Sequence, residues 1–391
     1  ALREAVCEQC HLQGETIVAR RGRSQADYRP GLPLHEYVTV FVRPPDVTDP
    51  GKIVSHVEQM RLSACFNKSG GRFGCTSCHD PHGVPPPDGK VAFYRSQCLN
   101  CHGPTPAAAP GRRAEAPECS LPRPERTAKD ARDNCLACHM PRGPSSNATH
   151  MAVTDHRVPR RPGRPPAARP EARPGGPTLV AFHRALLPPE DDELRRDLGV
   201  ALAELANLAD GLGAKPVTDY FSKQALPLLE RAAARAPDDV PAVEARGIAL
   251  FAQGRHDEAL PVLEAALAKA PDRERALGFA ARAAQAAGRL DLAEKYGRRL
   301  AEKYPQIADH HHRLAVVHAQ RKAWPEALRA AEAAVRADPF RGESRALLIA
   351  ACFEAGDRAR AQAEFEALGV IQPDYQETVR PWFAERLRRA K

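Results

Sequence analysis

Four times between residues 7 and 139 the chain repeats one short pattern. It reads Cys7-Glu-Gln-Cys10-His11, Cys75-Thr-Ser-Cys78-His79, Cys98-Leu-Asn-Cys101-His102 and Cys135-Leu-Ala-Cys138-His139. Two thiols three positions apart, followed directly by an imidazole, are what covalent attachment of a haem requires. The thiols add to the two vinyl groups, and the adjoining His reaches the iron from the proximal side. A zinc pair or a redox dithiol needs the cysteines but not a His after every second one, and a disulfide framework needs no His. Ten of the eleven cysteines lie before residue 139. Four covalently bound haem c groups are therefore expected, anchored on these eight cysteines, with His11, His79, His102 and His139 as proximal iron ligands.

Residues 1–158 are poor in aliphatic runs and crowded with Pro and Gly, so side chains alone supply little core. The porphyrins are expected to fill the interior of an irregular domain with short helices, read at Lys52–Cys65, Val91–Cys101 and Thr127–Cys138. This segment carries 20 basic and 16 acidic side chains. Its arginines are expected partners for haem propionates or for solvent.

Each iron needs a second axial ligand. Besides the proximal residues this half holds His35, His56, His82, His150 and His156, five distal candidates for four irons. Methionine is scarce: Met60, Met140 and Met151. Met140 directly follows a proximal His and cannot swing to the opposite face of that haem. Bis-His ligation is the expectation, with lower potentials than His/Met ligation. His82 is too close to His79 to cap the same haem and is expected to reach a neighbouring one. His56 falls on the 52–65 helix, and His35 in a loop. With five candidates for four irons, a spare His could be structural or could ligate a haem in a second copy of the chain. A head-to-tail contact of that kind does not close and would build a filament. Cys65 and Cys119 remain, and a disulfide between them is chemically allowed outside the cytoplasm.

The strings CTSCHDPHG and CLACHMPRGPSSNATHMAVTDHR, with the spaced CxNCH, resemble multihaem c-type cytochromes of the cytochrome c-552/c-554-like kind with doubled C-x-x-C-H. The resemblance covers about residues 1–160. It implies that His82, His150 and His156, which follow DP, TH and DH pairs, serve as distal ligands. It also implies an exported protein, periplasmic or at the cell surface. The four motifs fit either a compact tetrahaem version or a chain lacking an N-terminal haem region. The absence of an initial Met and of a signal peptide points to a processed or truncated product.

Residues 157–178 hold seven Pro and six Arg in 22 positions. That composition forms neither helix nor core strand, so residues 159–178 are read as an extended linker. Beyond it a period appears. Pro237, Pro271, Pro305, Pro339 and Pro373 stand 34 residues apart, as do Ala225, Ala259, Ala293, Ala327 and Ala361. Gly254, Gly288 and Gly356 keep the same period, with Lys322 where a fourth Gly would fall.

A 34-residue period with small residues at helix crossings and a Pro after each hairpin resembles tetratricopeptide repeats. The expected architecture is mainly α: a tetrahaem domain at 1–158, a linker at 159–178 and an all-α repeat solenoid at 179–375. The first repeat is degenerate, with an insertion near Ala209–Thr218, and a polar capping helix follows at 376–391. Cys352 and Trp324 are read as packing residues. His310-His311-His312 cannot converge on one ion, because consecutive helical residues point in different directions.

These features point to an electron carrier more than to an enzyme. Electrons would pass through four bis-His haems to redox partner proteins, and the repeats would serve docking to a protein or assembly into a polymer. An oxidoreductase acting on a small nitrogen compound is the alternative, and it needs a five-coordinate haem. No phosphate-binding loop, nucleophile elbow or HExxH motif occurs. Residues 179–391 carry 32 basic and 32 acidic side chains, which argues against a nucleic-acid binder. No apolar run reaches the length of a membrane helix.

Overall fold

The computed structural model describes residues 2–44, 55–103, 118–144, 152–160, 178–188 and 191–389. It divides into two compact units, Ala1–Leu194 and Arg195–Lys391. The architecture is mainly helical and ends in a solenoid of helical hairpins.

The first unit is built on short helices and a small sheet. Helix α1 (Leu2–His11) precedes β1 (Thr16–Ala19) and β2 (Val38–Val42). The sequence Val-Thr-Val-Phe-Val has almost no polar position, and all five residues of β2 are buried. Such a strand belongs in the middle of a sheet. It pairs antiparallel with β1 on one side, Thr16 opposite Phe41, and with β5 (Val180–Ala181) on the other, Phe41 opposite Ala181. Ala5, Leu12, Tyr28, Leu34, Val38, Val40 and Val57 form the core beneath. The boundary observed between the units thus lies later than the sequence boundary at 178/179. Edge pairing on β2 draws residues 178–188 back into the first unit.

The expected 52–65 helix is two helices, α2 (His56–Leu62) and α3 (Ala64–Lys68). Ser63 turns to extended backbone between them, and its hydroxyl accepts the Phe66 amide, so a cap replaces a continuous helix. Helix α4 (Lys90–His102) agrees closely with the expectation. The expected 127–138 helix is also two, α5 (Arg123–Lys129) and α6 (Cys135–His139). Asp133 at φ 51° breaks the run, and Asn134 caps α6 by accepting the Leu136 amide. Strands β3 (Arg142–Pro144) and β4 (Ala152–Thr154) pair antiparallel and carry the chain back to Pro141, whose carbonyl accepts the Asp155 amide. His35 lies in a 3-10 turn, Leu34–Glu36, instead of an open loop.

In the second unit α7 (Asp192–Gly211) and α8 (Lys215–Arg235) form a long first hairpin of 20 and 21 residues. The expected insertion at 209–218 is therefore largely helical. Four regular hairpin-forming pairs follow. Their first helices are α9 (Val240–Ala252), α11 (Glu274–Ala286), α13 (Ala308–Gln320) and α15 (Gly342–Glu354). Their second helices are α10 (His256–Lys269), α12 (Leu290–Lys303), α14 (Trp324–Ala337) and α16 (Arg358–Ile371). Starts at 256, 290, 324 and 358 keep the 34-residue step. Helix α17 (Pro373–Arg389) closes the stack, beginning slightly before the expected cap.

The periodic alanines sit where helices cross. Ala225, Ala259, Ala293, Ala327 and Ala361 are all 0% exposed. A Cβ on Gly247 would lie 2.6 Å from Leu263 Cγ, so α9 and α10 approach too closely for any larger residue there. The buried Arg196 grips the Asp239 carboxylate with two 2.8 Å hydrogen bonds, and Asp239 in turn caps α9. Cys352 is fully buried, as expected of a packing residue.

The turn inside each regular hairpin needs a left-handed residue. Gly254, Gly288 and Gly356 have φ of 75°, 74° and 80°, and Lys322 adopts 59° in the same place. A side chain there costs about 1–2 kcal/mol, while glycine loosens the unfolded chain by about 0.4–1 kcal/mol. Lys322→Gly should accordingly raise stability by about 0.5–1 kcal/mol, and Gly288→Ala should lower it by a similar amount. Urea unfolding monitored by circular dichroism measures both.

Candidate functional site

Every C-x-x-C-H motif occupies a helical turn. His11 is the last residue of α1, His102 of α4 and His139 of α6. Cys75–Ser77 forms a 3-10 turn that His79 directly follows, after Cys78. In an α-turn the residues i, i+3 and i+4 share a face, which puts both thiols and the imidazole on one side. All eight motif cysteines, together with Cys65 and Cys119, are free thiols. Cys65 lies within electrostatic reach of Cys78, Cys98 and Cys101.

Direct contacts join the motifs in two pairs, and the Cys78 thiol of the second motif also lies within electrostatic reach of Cys98 and Cys101 of the third. In the first, Glu4 of α1 accepts the Cys75 amide at 2.9 Å, and the Cys7 and Cys75 thiols are neighbours. Desolvation and the Glu4 carboxylate hold the Cys75 thiol above its ordinary range. In the second, the Cys98 and Cys135 thiols are neighbours. Arg95, just before the third motif, donates 2.7 Å to Asp133, just before the fourth. Arg126 binds the same carboxylate at 2.8 Å.

Four imidazoles stack in a row across the first pair. His11 and His56 have ring centroids 5.9 Å apart, His56 and His156 4.3 Å, and His156 and His79 6.4 Å. Two of these belong to C-x-x-C-H motifs and two are distal candidates. His56 starts α2, where Ser55 caps the helix. His156 follows β4, and its amide is held by Gln59 of α2 at 2.7 Å. Desolvation, followed by the neighbouring imidazoles, lowers the pKa of His56 and His79. Desolvation is also the largest influence lowering that of His156. A neutral ring is the form that binds a metal.

Two rings show which nitrogen is available. His139 Nδ1 lies 2.9 Å from the Pro159 carbonyl, and His156 Nδ1 lies 2.9 Å from the Thr154 carbonyl. A carbonyl only accepts, so each Nδ1 carries the proton and, in the neutral ring, Nε2 keeps its lone pair. A backbone carbonyl in this role is the usual outer partner of a metal-binding His. His79 Nδ1 faces the Tyr94 hydroxyl at 3.4 Å.

Other candidates are placed elsewhere. His82 has a side chain 91% exposed, beside Asp80 in its own turn, and does not reach a second motif. His35 packs on His183, centroids 5.7 Å apart, instead of joining the row. His150 lies outside the described residues, as do residues 161–177 of the linker. Among the described residues no group of three His, Cys, Asp or Glu is arranged to hold a bare metal ion. Sequence reasoning missed His183 and Glu8, which are hydrogen-bonded to each other at 2.9 Å and both buried.

The second unit offers a polar surface along its first helices. Arg275 of α11 pairs with Glu204 of α7, and Arg282 of α11 approaches Asp210 of α7 at 3.7 Å. These pairs reach past α9 and join α11 directly to α7. Arg282 also stacks on Phe251 and Phe279, at 4.4 and 4.8 Å. His310, His311 and His312 turn to Glu274, the Pro305 carbonyl and Ser344 respectively, so they do not converge. No helix among the described residues is long and apolar enough to cross a membrane.

Comparison with known proteins bears on this second unit. Tetratricopeptide repeat family models match residues 222–274 and 250–315. No curated protein matches. Among solved structures, MamA from AMB-1 is similar at 22% identity and a TM-score of 0.40, covering 47% of this chain and 92% of that one. MamA from MSR-1 gives 21% identity and a TM-score of 0.40, over 46% and 97% of the two chains. MamA from Desulfovibrio magneticus RS-1 gives 16% and 0.37, over 45% and 96%. The C-terminal region therefore carries tetratricopeptide repeats, an architecture that binds protein partners.

Asp133 supplies a pH test of the site. Hydrogen bonds from Arg126, then from Arg95, bring its pKa from 3.8 to about 2. A depressed carboxylate stabilises the fold fully above its unfolded value, and this contribution is lost as pH falls toward and through the folded value. Between about pH 4 and pH 2 the native protein should lose stability more steeply than Asp133→Asn, as read by denaturant midpoints across that range.

Proposed function

We propose that this chain is an exported multihaem cytochrome c that carries electrons through four covalently bound haems, and that its repeat domain docks it to a protein. The observation that carries the reading is the set of imidazoles around the motifs. Four rings stack between two C-x-x-C-H turns, and backbone carbonyls hold Nδ1 of His139 and His156 so that Nε2 is left to bind. Free thiols on the same turns fit covalent attachment. A bare ion would need three or four protein donors. A haem iron takes four from the porphyrin and asks the chain for only two.

When bound, each haem supplies a one-electron iron couple. The chain holds and orients it. Cys7 and Cys10, Cys75 and Cys78, Cys98 and Cys101, and Cys135 and Cys138 would anchor the porphyrins, with His11, His79, His102 and His139 on the irons. His56 and His156 are the distal candidates that the geometry favours. His82, His150 and His35 remain for the other irons or for a second copy of the chain. Glu4 ties the first motif to the second, Cys78 of the second lies near Cys98 and Cys101 of the third, and Asp133 sits beside the third and fourth, so the motifs adjoin one another in series, which suits electron transfer between neighbours. Filament assembly through a shared ligand belongs to the same reading. The periplasm or the cell surface is the expected location.

The test is to produce the chain in a host that attaches haem c. Pyridine haemochrome assay and peptide mass should give four haems per 42.6 kDa chain, one on each motif peptide. Electron paramagnetic resonance of the oxidised protein should show only low-spin iron. An unmodified chain would overturn the haem reading, and a stoichiometric high-spin signal would replace the carrier with an enzyme. A high-spin signal that appears only on dilution to monomer would place one ligand in a second copy.

A further inference from the structure

The most deeply buried charged cluster of the first unit stands on the first C-x-x-C-H turn and has no part in the scheme above. Helix α1 has two faces. Ala5, Glu8 and Leu12 point inward at 3%, 4% and 1% exposure, while Cys10 and His11 are exposed. A carboxylate on the inward face is costly, because an unpaired buried charge destabilises by several kcal/mol. Here it has two donors from distant parts of the chain. His183 Nε2 donates to Glu8 Oε2 at 2.9 Å, and Arg61 Nη2 donates to Oε1 at 2.7 Å. The guanidinium of Arg61 also lies over the Phe182 ring at 4.3 Å. His183 itself is fixed from behind, since β5 pairs with β2 two residues earlier and the His35 ring packs on it. An apolar residue at position 8 would fill the same inward stripe with no charge to neutralise. The Glu stands between the two anchoring cysteines of a motif and is met there by two donors.

We infer that His183 is a positioning residue for the first haem site: with Arg61 it fixes the Glu8 carboxylate, and through it both the Cys7–His11 turn and the electrostatic field at that iron. The inference rests on the haem reading of the motif. Residues 178–188 are then a working part of the haem unit, although they follow the linker in sequence. A negative charge near the iron stabilises the ferric state, and each donor on Glu8 offsets part of that charge. Removing a donor and removing the charge therefore act on the potential with opposite signs.

The experiment uses the full, haem-loaded chain and follows its four reduction steps by spectroelectrochemical titration. His183→Ala should lower one midpoint potential, Glu8→Gln should raise that same one, and the other three should stay in place. His183→Gln, whose amide can donate to Glu8, should fall between the native chain and His183→Ala. The responding step should be the one missing from a chain with Cys7→Ser and Cys10→Ser. Shifts in the same direction for both variants, equal shifts in all four steps, or no shift would overturn the inference, since a purely structural role predicts no sign reversal. Failure of the haem reading is separable, because the unsubstituted chain would then show no haem at all. Should His183→Ala not fold, His183→Gln should still lower the potential of the Cys7–Cys10 haem while Glu8→Gln raises it, and the absence of that opposition would overturn the inference.

Discussion

In the first unit three distant stretches of chain meet at one carboxylate. Glu8 belongs to α1, Arg61 to α2, and His183 to the segment that returns after the Pro/Arg-rich stretch. Buried ion pairs contribute little net stability compared with apolar packing, but they tolerate only one arrangement, because losing either partner strands a charge. That all-or-none character matters in a unit whose apolar core is as small as this one. It fixes the order in which α1, α2 and β5 surround β2, and the C-x-x-C-H turn at the end of α1 inherits its orientation from them.

The same economy of core explains how the other motifs are held. Glu4 binds the second motif through the Cys75 amide, while Asp133, gripped by Arg95 and Arg126, holds together the approaches to the third and fourth. Polar contacts with defined direction do what aliphatic packing does elsewhere. The second unit follows the opposite rule. Its alanines at helix crossings are completely buried, its leucines fill the remaining space, and its charged pairs run mostly along the surface. One unit is specified by a few directed bonds, and the other by a repeated packing pattern.

Much of this was legible in the residues. The 34-residue spacing of Pro, Ala and Gly gave the period of the helical repeats, because each such residue marks a point where backbone geometry admits few alternatives. Lys322 standing in a Gly position was visible too, and it adopts the same left-handed backbone. The C-x-x-C-H turns were legible because their chemistry is local. The breaks at Ser63 and Asp133 were not, since both depend on a side-chain bond competing with a helical pattern that the sequence continues through. The row of His11, His56, His156 and His79 was foreseen only as a pool of ligands. Which rings meet depends on the β3–β4 pairing and on Gln59, neither of which leaves a periodic trace.

By itself the sequence determined the presence and spacing of the four C-x-x-C-H motifs, the further histidines around them, the repeat architecture and the compositional break between them, because each is carried by neighbouring or evenly spaced residues. Only the tertiary structure decided which motifs adjoin, that His56 and His156 stand between the first and second while His82 faces solvent, and that His183 belongs to the first unit. Glu8 and His183 are 175 residues apart. A contact across that distance is chosen by the pairing of β5 with β2 and by the need of a buried carboxylate for a hydrogen-bond donor, and neither is written in the residues adjacent to either partner.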